Sequence, residues 1–187
     1  MREIDVFVNT ERLVLRRFVP ADVGRLFPLH NDPEVMRFLN GGRGTTRRET
    51  GREYREHFAK GGYWAAVERA TDDFVGWFGL HPREDHGPRE LELGYRFMRS
   101  AWGRGYATEG SRALIRKGFT ELGARRVFAE TMAVNLASRR VMEKSGLEYI
   151  RTFHVDWSDP IAGAEQGEVE YALTRAAWER HEAEVRP

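Results

Sequence analysis

The stretch WGRGYATEG, residues 102–110, sets Gly103, Gly105 and Gly110 where the chain turns from a strand-like run into a helix-like one. A glycine inside a helix costs about 1 kcal/mol relative to alanine, so the cluster requires a reason. Glycine serves where backbone takes unusual dihedrals or approaches another group closely. A helix start offers unpaired N–H groups and the positive end of the macrodipole. The chemistry that suits both is the binding of an anion, a phosphate above all. The neighbours exclude two phosphate motifs. A P-loop would follow its glycine with Lys and Ser or Thr, where this chain has Tyr106 and Ala107; a dinucleotide fingerprint would put Gly or Ala at the position of Thr108. Gly110 falls within the helix and is read as a close helix-on-strand contact.

The elements that must position this cluster follow from periodicity. RLVLRRF, residues 12–18, reads as a half-exposed strand, followed by helical spacing broken at Pro20, Pro28 and Pro33. A polar helix over TRRETGREYREHFAKG precedes a hairpin, YWAAVERA with DFVGWFGLH. HPREDHGPRE is a surface loop and LELGYRFM the strand that enters the glycines. Ala107, Ser111, Leu114, Ile115, Gly118 and Leu122 then make one buried helical stripe. RRVFAETMA is a strand, NLASRRVMEKSG a helix opened by Asn135, LEYIRTFHVDW a strand with Leu147, Tyr149, Phe153 and Trp157 in phase, and EVEYALT the last strand. This order predicts a mixed α/β sheet with helices on its faces.

The 187 residues fit a single domain over 1–187. Thirty basic and 29 acidic residues, interspersed, give a net charge of +1 and call for no nucleic-acid partner. The chain has no cysteine, which excludes a thiolate nucleophile, a protein thioester and a disulfide. Its six histidines lack metal-ligand spacing, so no metal is expected. No run approaches the ~20 apolar residues of a membrane span, and a cytoplasmic protein is expected.

ELGYRFMRSAWGRGYATEG followed by NLASRRVMEKSGL resembles the GNAT superfamily of acyl-CoA-dependent N-acetyltransferases. Its pyrophosphate motif, Q/R-x-x-G-x-G/A, aligns with Trp102 to Ala107, with Trp102 in place of the usual Gln or Arg. That departure is shared with the Rim-type branch, which acetylates N-terminal alanine of ribosomal proteins, and TERLVLRRFVPADV is similar to that branch too. The resemblance implies a mostly antiparallel central sheet with a splayed parallel strand pair. It implies acetyl-CoA as cosubstrate, its pyrophosphate held by amides of Gly103, Gly105, Tyr106 and Ala107, with Arg104 at the rim and Thr108 one residue on. The pantetheine arm would pair with main-chain groups along Phe97, Met98 and Arg99, an N–H near Tyr95 would face the thioester oxygen, and Gly94 would mark the bulge that splays the strands.

Amine acetylation needs a neutral amine, an oxyanion donor and a proton for the departing thiolate. Glu92, on the same strand face as Gly94, is the first candidate base; Asp156, His154 and Glu168 are alternatives. The family's acid tyrosine, in N-x-x-A-x-x-x-Y-x-x-x-G, aligns with Met142, which cannot donate. Resemblance to Rim-type members, which place a serine at this position, implies Ser138 as the replacement donor; it shares a helical face with Asn135, Arg139 and Met142, and Asn135 and Ser138 are each assigned to cofactor contact or to capping of the helix. The resemblance implies an acceptor pocket built from HNDPEVMRFLNGG, from Tyr63, Trp64 and Trp77, and from WSDPIAGAEQG. The expected reaction is direct acetyl transfer to a primary amine, a protein N-terminus favoured over a small molecule, by a monomer or homodimer. The rival readings are a non-catalytic acyl-CoA sensor and a nucleotide-phosphate binder unrelated to CoA.

Overall fold

Apolar residues alternate along Leu13–Arg17, so Leu13 and Leu15 point inward and are fully buried, and that strand seeds the first layer of the structure. The computed structural model describes residues 5–185, so the first four and last two residues of the domain expected over 1–187 lie outside the described residues. The chain groups into two compact units. One joins Gly94–Gly110 to the chain up to Gly79; the other joins Leu80–Leu93 to the chain from Ser111 onward.

In the first unit β1 (Val6–Asn9), β2 (Leu13–Arg17), β3 (Tyr63–Glu68) and β4 (Phe74–Pro82) follow one another antiparallel. Three helices, α1 (Val23–His30), α2 (Pro33–Asn40) and α3 (Arg47–Glu56), lie between β2 and β3 in sequence. Their starts obey capping chemistry: Asp32 accepts from the Glu34 N–H, and Thr46 with Glu49 forms a reciprocal capping box. Pro28, expected to break the chain, sits inside α1, because burial of Leu26, Leu29 and His30 holds the last turn helical. A bidentate pair, Arg16 to Asp22 at 2.8 and 2.9 Å, fixes the end of β2 to the start of α1. Burial raises the Asp22 pKa, but the hydrogen bonds from Arg16 and the Val19 N–H outweigh it and hold the carboxyl below its usual value.

In the second unit the order is β5 (Glu90–Phe97, of which Gly94 onward belongs to the first unit), β6 (Arg126–Met132), β8 (Glu168–Thr174), β7 (Glu148–Phe153). Here β5 and β6 pair parallel over Glu90↔Arg126, Leu91↔Val127 and Glu92↔Phe128, and the register ends there. β6 runs on, antiparallel to β8, as far as Met132↔Glu168. The remaining helices are α4 (Tyr106–Thr120), α5 (Leu136–Lys144) and α6 (Arg175–Val185). All other described strand pairs are antiparallel, which makes a mixed, mostly antiparallel α/β fold.

Several expectations shift. β1 and α6 were not foreseen, and β7 ends at Phe153 rather than Trp157. β7 is the edge strand of the sheet and is exposed along nearly its whole length, Tyr149 included, with a register break between Tyr149 and Arg151. The α4 stripe stops at Thr120, so Leu122 is exposed. Gly94, expected to mark a bulge, has room for a methyl group, its nearest neighbour being a Trp77 ring carbon at 3.7 Å. A close backbone approach occurs instead at Gly76 on β4, where a Cβ would lie 2.3 Å from the Arg96 carbonyl oxygen, opposite a register break between Ala66 and Val67. No helix among the described residues is long and apolar enough to cross a membrane.

Gly110 is the contact that sets α4 on β4: a Cβ there would meet the Phe78 ring at 2.2 Å, and Phe78 is fully buried. Gly110→Ala is therefore expected to lower stability by about 1–3 kcal/mol through overpacking, with partial recovery in Gly110→Ala/Phe78→Leu. Urea titration of the three proteins checks both outcomes.

Candidate active site

The mouth of α4 is a turn built on two left-handed glycines, Gly103 (φ 71°) and Gly105 (φ 81°), with Arg104 between them and all three exposed. A Cβ at Gly103 would meet nothing within 4 Å, and at Gly105 only an Arg12 nitrogen at 3.3 Å. The residue choice there is thus dihedral: non-glycine residues in this conformation cost about 1–2 kcal/mol. The first hydrogen bond of the helix runs from the Glu109 N–H to the Gly105 carbonyl. The amides of Tyr106, Ala107 and Thr108 therefore precede any intrahelical partner.

Side chains pin this turn from below. Arg12 donates to the Arg104 carbonyl at 2.8 Å and to Glu109 Oε2 at 2.7 Å, while the Thr10 hydroxyl donates to Glu109 Oε1 at 2.6 Å. Glu68 receives Arg104 at 2.6 Å and the hydroxyl of Tyr106, whose ring is buried and flanked by the guanidinium groups of Arg12 and Arg104 at 4.8 and 4.7 Å. The Tyr106 and Arg104 hydrogen bonds hold the Glu68 carboxyl below its usual pKa. Arg12, Glu68 and Glu109 were not singled out from sequence, since nothing in their spacing links residues so far apart. A cavity of about 460 Å³ beside the turn is lined by Arg12, Glu68, Arg69, Arg104 and Tyr106.

The strand before the turn carries the other expected residues of this unit. Tyr95 meets Phe78 edge-on at 6.3 Å, and Phe97 meets it at 5.1 Å. The Phe97 carbonyl accepts from the Trp102 indole N–H at 2.9 Å, so Trp102, the residue that departs from the family motif, folds back on the strand. The Met98 N–H donates to the Val75 carbonyl, and Arg99 pairs with Asp32 at 2.9 Å. Trp64 and Trp77 are buried; Trp64 stacks on Phe7 and Trp77 joins the core cluster, so both are core residues before they are pocket walls.

The second unit holds Glu92, Asn135 and Ser138. Glu92 is half-buried, and its nearest cation is Arg83 at 3.5 Å. Arg83 is already committed to Glu130 at 2.6 and 3.1 Å and to Asp85 at 2.6 Å. Burial raises the Glu92 pKa, and the charges of Arg83 and His81 only partly oppose it. Glu168 is raised by burial and by the charge of Glu130. Arg83 sits in the loop read as plain surface, yet it lies over the Phe128 ring at 5.0 Å with His86 stacked on that ring at 4.0 Å. Asn135 caps α5 by accepting from the Ser138 N–H at 3.3 Å and donates to Thr131 at 3.0 Å. Ser138 is half-buried in the first turn. Met142, at the position of the family's tyrosine, is buried in the core. Arg139 is held by the Ala133 carbonyl at 3.0 Å and the Tyr171 hydroxyl at 3.2 Å.

A family model described as an acetyltransferase (GNAT) domain matches residues 12–148. The chain belongs to the GNAT acetyltransferase family. As a GNAT acetyltransferase it uses acetyl-CoA as its acetyl donor. It is similar to the FsC-acetyl coenzyme A-N(2)-transacetylase of Aspergillus fumigatus, 38% identical over 162 residues that span 81% of this chain and 69% of that protein. Among solved structures it is similar to a GNAT-family acetyltransferase from Bacillus anthracis, with a TM-score of 0.78 and 24% identity over 90% of this chain and 98% of that one. It is also similar to a spermidine N-acetyltransferase from Vibrio cholerae in complex with CoA and spermine, with a TM-score of 0.75 and 16% identity over 89% and 98%. The likeness to these two structures is one of fold.

The left-handed turn makes a direct prediction for the GNAT cofactor. Gly105→Val is expected to weaken CoA binding about tenfold or more, since the conformational penalty of 1–2 kcal/mol per residue opposes the bound geometry. Calorimetric titration with CoA measures it; full affinity in the variant would separate the turn from the cofactor.

Proposed function

We propose that this GNAT acetyltransferase transfers acetyl to a primary amine by direct attack on the thioester, as one acyltransferase domain that includes both compact units. The observation that carries this reading is the exposed, left-handed Gly103–Gly105 turn at the start of α4, which leaves main-chain N–H groups without intrahelical partners. The amides of Gly103, Gly105, Tyr106, Ala107 and Thr108 bind the CoA pyrophosphate, with Arg104 adding charge at the rim. Main-chain groups of Phe97, Met98 and Arg99 guide the pantetheine arm, with the Phe97 carbonyl sharing its second lone pair with Trp102.

The chemistry is divided among groups of different character. The Tyr95 N–H donates to the oxyanion that forms as the amine adds to the thioester carbon. Glu92 takes the proton from the attacking nitrogen. Its raised pKa makes the carboxylate a stronger base than an ordinary glutamate, and the longer 3.5 Å separation from Arg83 leaves its oxygens less engaged than those of Glu130. Ser138, beside the capping Asn135, hydrogen-bonds the departing sulfur, a role that the buried Met142 has no proton to fill. Breaking the C–S bond returns the electron pair to sulfur as the nitrogen loses its proton.

The acceptor is a small-molecule amine in the reading we favour. It is supported by the spermine in the Vibrio cholerae structure and by the N(2)-transacetylase name of the Aspergillus fumigatus relative. The second reading, a protein N-terminal α-amino group, is supported by the WGRGYATEG wording shared with the Rim-type branch. Mass spectrometry of acetylated products from a mixed library of small amines and N-terminal peptides decides between them. Acetylation of peptides alone would overturn the first.

For the chemical step, kcat is expected to fall on the acid side at a pH above the ordinary glutamate range. That fall should vanish in Glu92→Gln, with kcat lowered about a hundredfold. Ser138→Ala should lower kcat while CoA affinity stays unchanged. Full pH–rate profiles of the three proteins check both.

A further inference from the structure

Arg96 is a charged side chain whose surroundings leave its hydrogen-bonding capacity unused. It emerges from β5 between Tyr95 and Phe97, which meet Phe78, and so on the opposite face of the strand. There its guanidinium lies over the Trp77 ring at 5.1 Å. Trp77 is itself fixed, its indole N–H donating to His30 Nε2 at 3.4 Å and its ring met edge-on by Phe58 and Tyr63 at 5.4 and 5.6 Å. Glu53 acts on Arg96 through its charge, but its carboxylate is hydrogen-bonded to His30 Nδ1 at 2.9 Å. Among the described residues, Arg96 has no carboxylate within ion-pair distance and donates no hydrogen bond.

The contrast with other arginines is direct. Arg16, Arg83, Arg104 and Arg126 each meet a carboxylate at hydrogen-bond distance. Arg96 is half-buried, and desolvation pulls its pKa down to about 10 against the opposing charge of Glu53, so it remains a cation at neutral pH. A half-buried guanidinium that lies over a ring face and donates to no described protein group is poised for a planar, two-oxygen anion. Glu53, with a side chain 39% exposed, supplies the opposite sign nearby.

Building on the acetyl-transfer reading, we infer that Arg96 is a specificity-determining residue that recognises a carboxylate on the acceptor amine, which makes the acceptor amino-acid-like. Arg96 is read here as binding the acceptor, distinct from the groups that hold CoA.

The test uses paired ligands, α-amino acids and the matching carboxamides, titrated calorimetrically into the CoA-bound protein and followed separately by acetyl transfer. At least one free acid is expected to bind about tenfold or more tightly than its amide, the scale of a charge-assisted hydrogen-bond pair. Arg96→Gln should abolish that preference, raising KM for the acid more than it lowers kcat, and Arg96→Lys should restore part of it. Melting temperature and CoA affinity serve as fold controls. Acids that bind no better than amides overturn the inference, as does an Arg96→Gln protein that folds and loses acid and amide turnover equally. If acids bind preferentially with no CoA released, the inference stands and the acetyl-transfer reading fails.

Discussion

A helix cannot hydrogen-bond its own first amides, and at α4 the first helical bond runs only from the Glu109 N–H to the Gly105 carbonyl. Elsewhere in the same unit such amides have partners: Asp32 caps α2 and Thr46 with Glu49 caps α3. At α4 the chain instead enters through two glycines whose conformation removes any side chain from the approach. The polar groups that would serve as a cap lie beneath the turn. Glu109 engages Thr10 and Arg12, and Glu68 engages Arg104 and Tyr106. Side-chain contacts thus fix a turn whose glycines are exposed. This combination lets a flexible residue type form a preorganised site.

How much of this was legible in the sequence depended on how local the cause was. Capping and periodicity are local, so α4, α5 and the β3–β4 hairpin were readable, as was the capping role of Asn135. Gly110 was read as a packing glycine, and Phe78 supplies the neighbour. The glycines of the turn were legible as residues of unusual backbone, and their left-handed dihedrals are the reason more than the room they leave.

The failures were non-local. β7 lies at the sheet edge, where neither face is buried, so the alternation of Tyr149 and Phe153 does not mark a core face. Gly76 on β4, where a Cβ would meet the Arg96 carbonyl, carries no sequence mark that sets it apart from other strand glycines. Arg83, in a loop rich in proline and charge, was taken for surface; only the fold reveals that it folds onto Phe128 and bridges to Glu130. The same holds for Arg96, whose unusual feature is what it lacks.

The desolvated carboxylate of Glu92 has a thermodynamic side beyond its chemistry. Its folded pKa lies above the unfolded one, so between those two values the native state retains a proton that the unfolded chain has released. Folding stability contributed by this group is therefore full in acid and erodes as pH rises through the folded value. The anion that a base must become is the form the fold tolerates least, so reactivity and conformational stability draw on this one side chain in opposite directions.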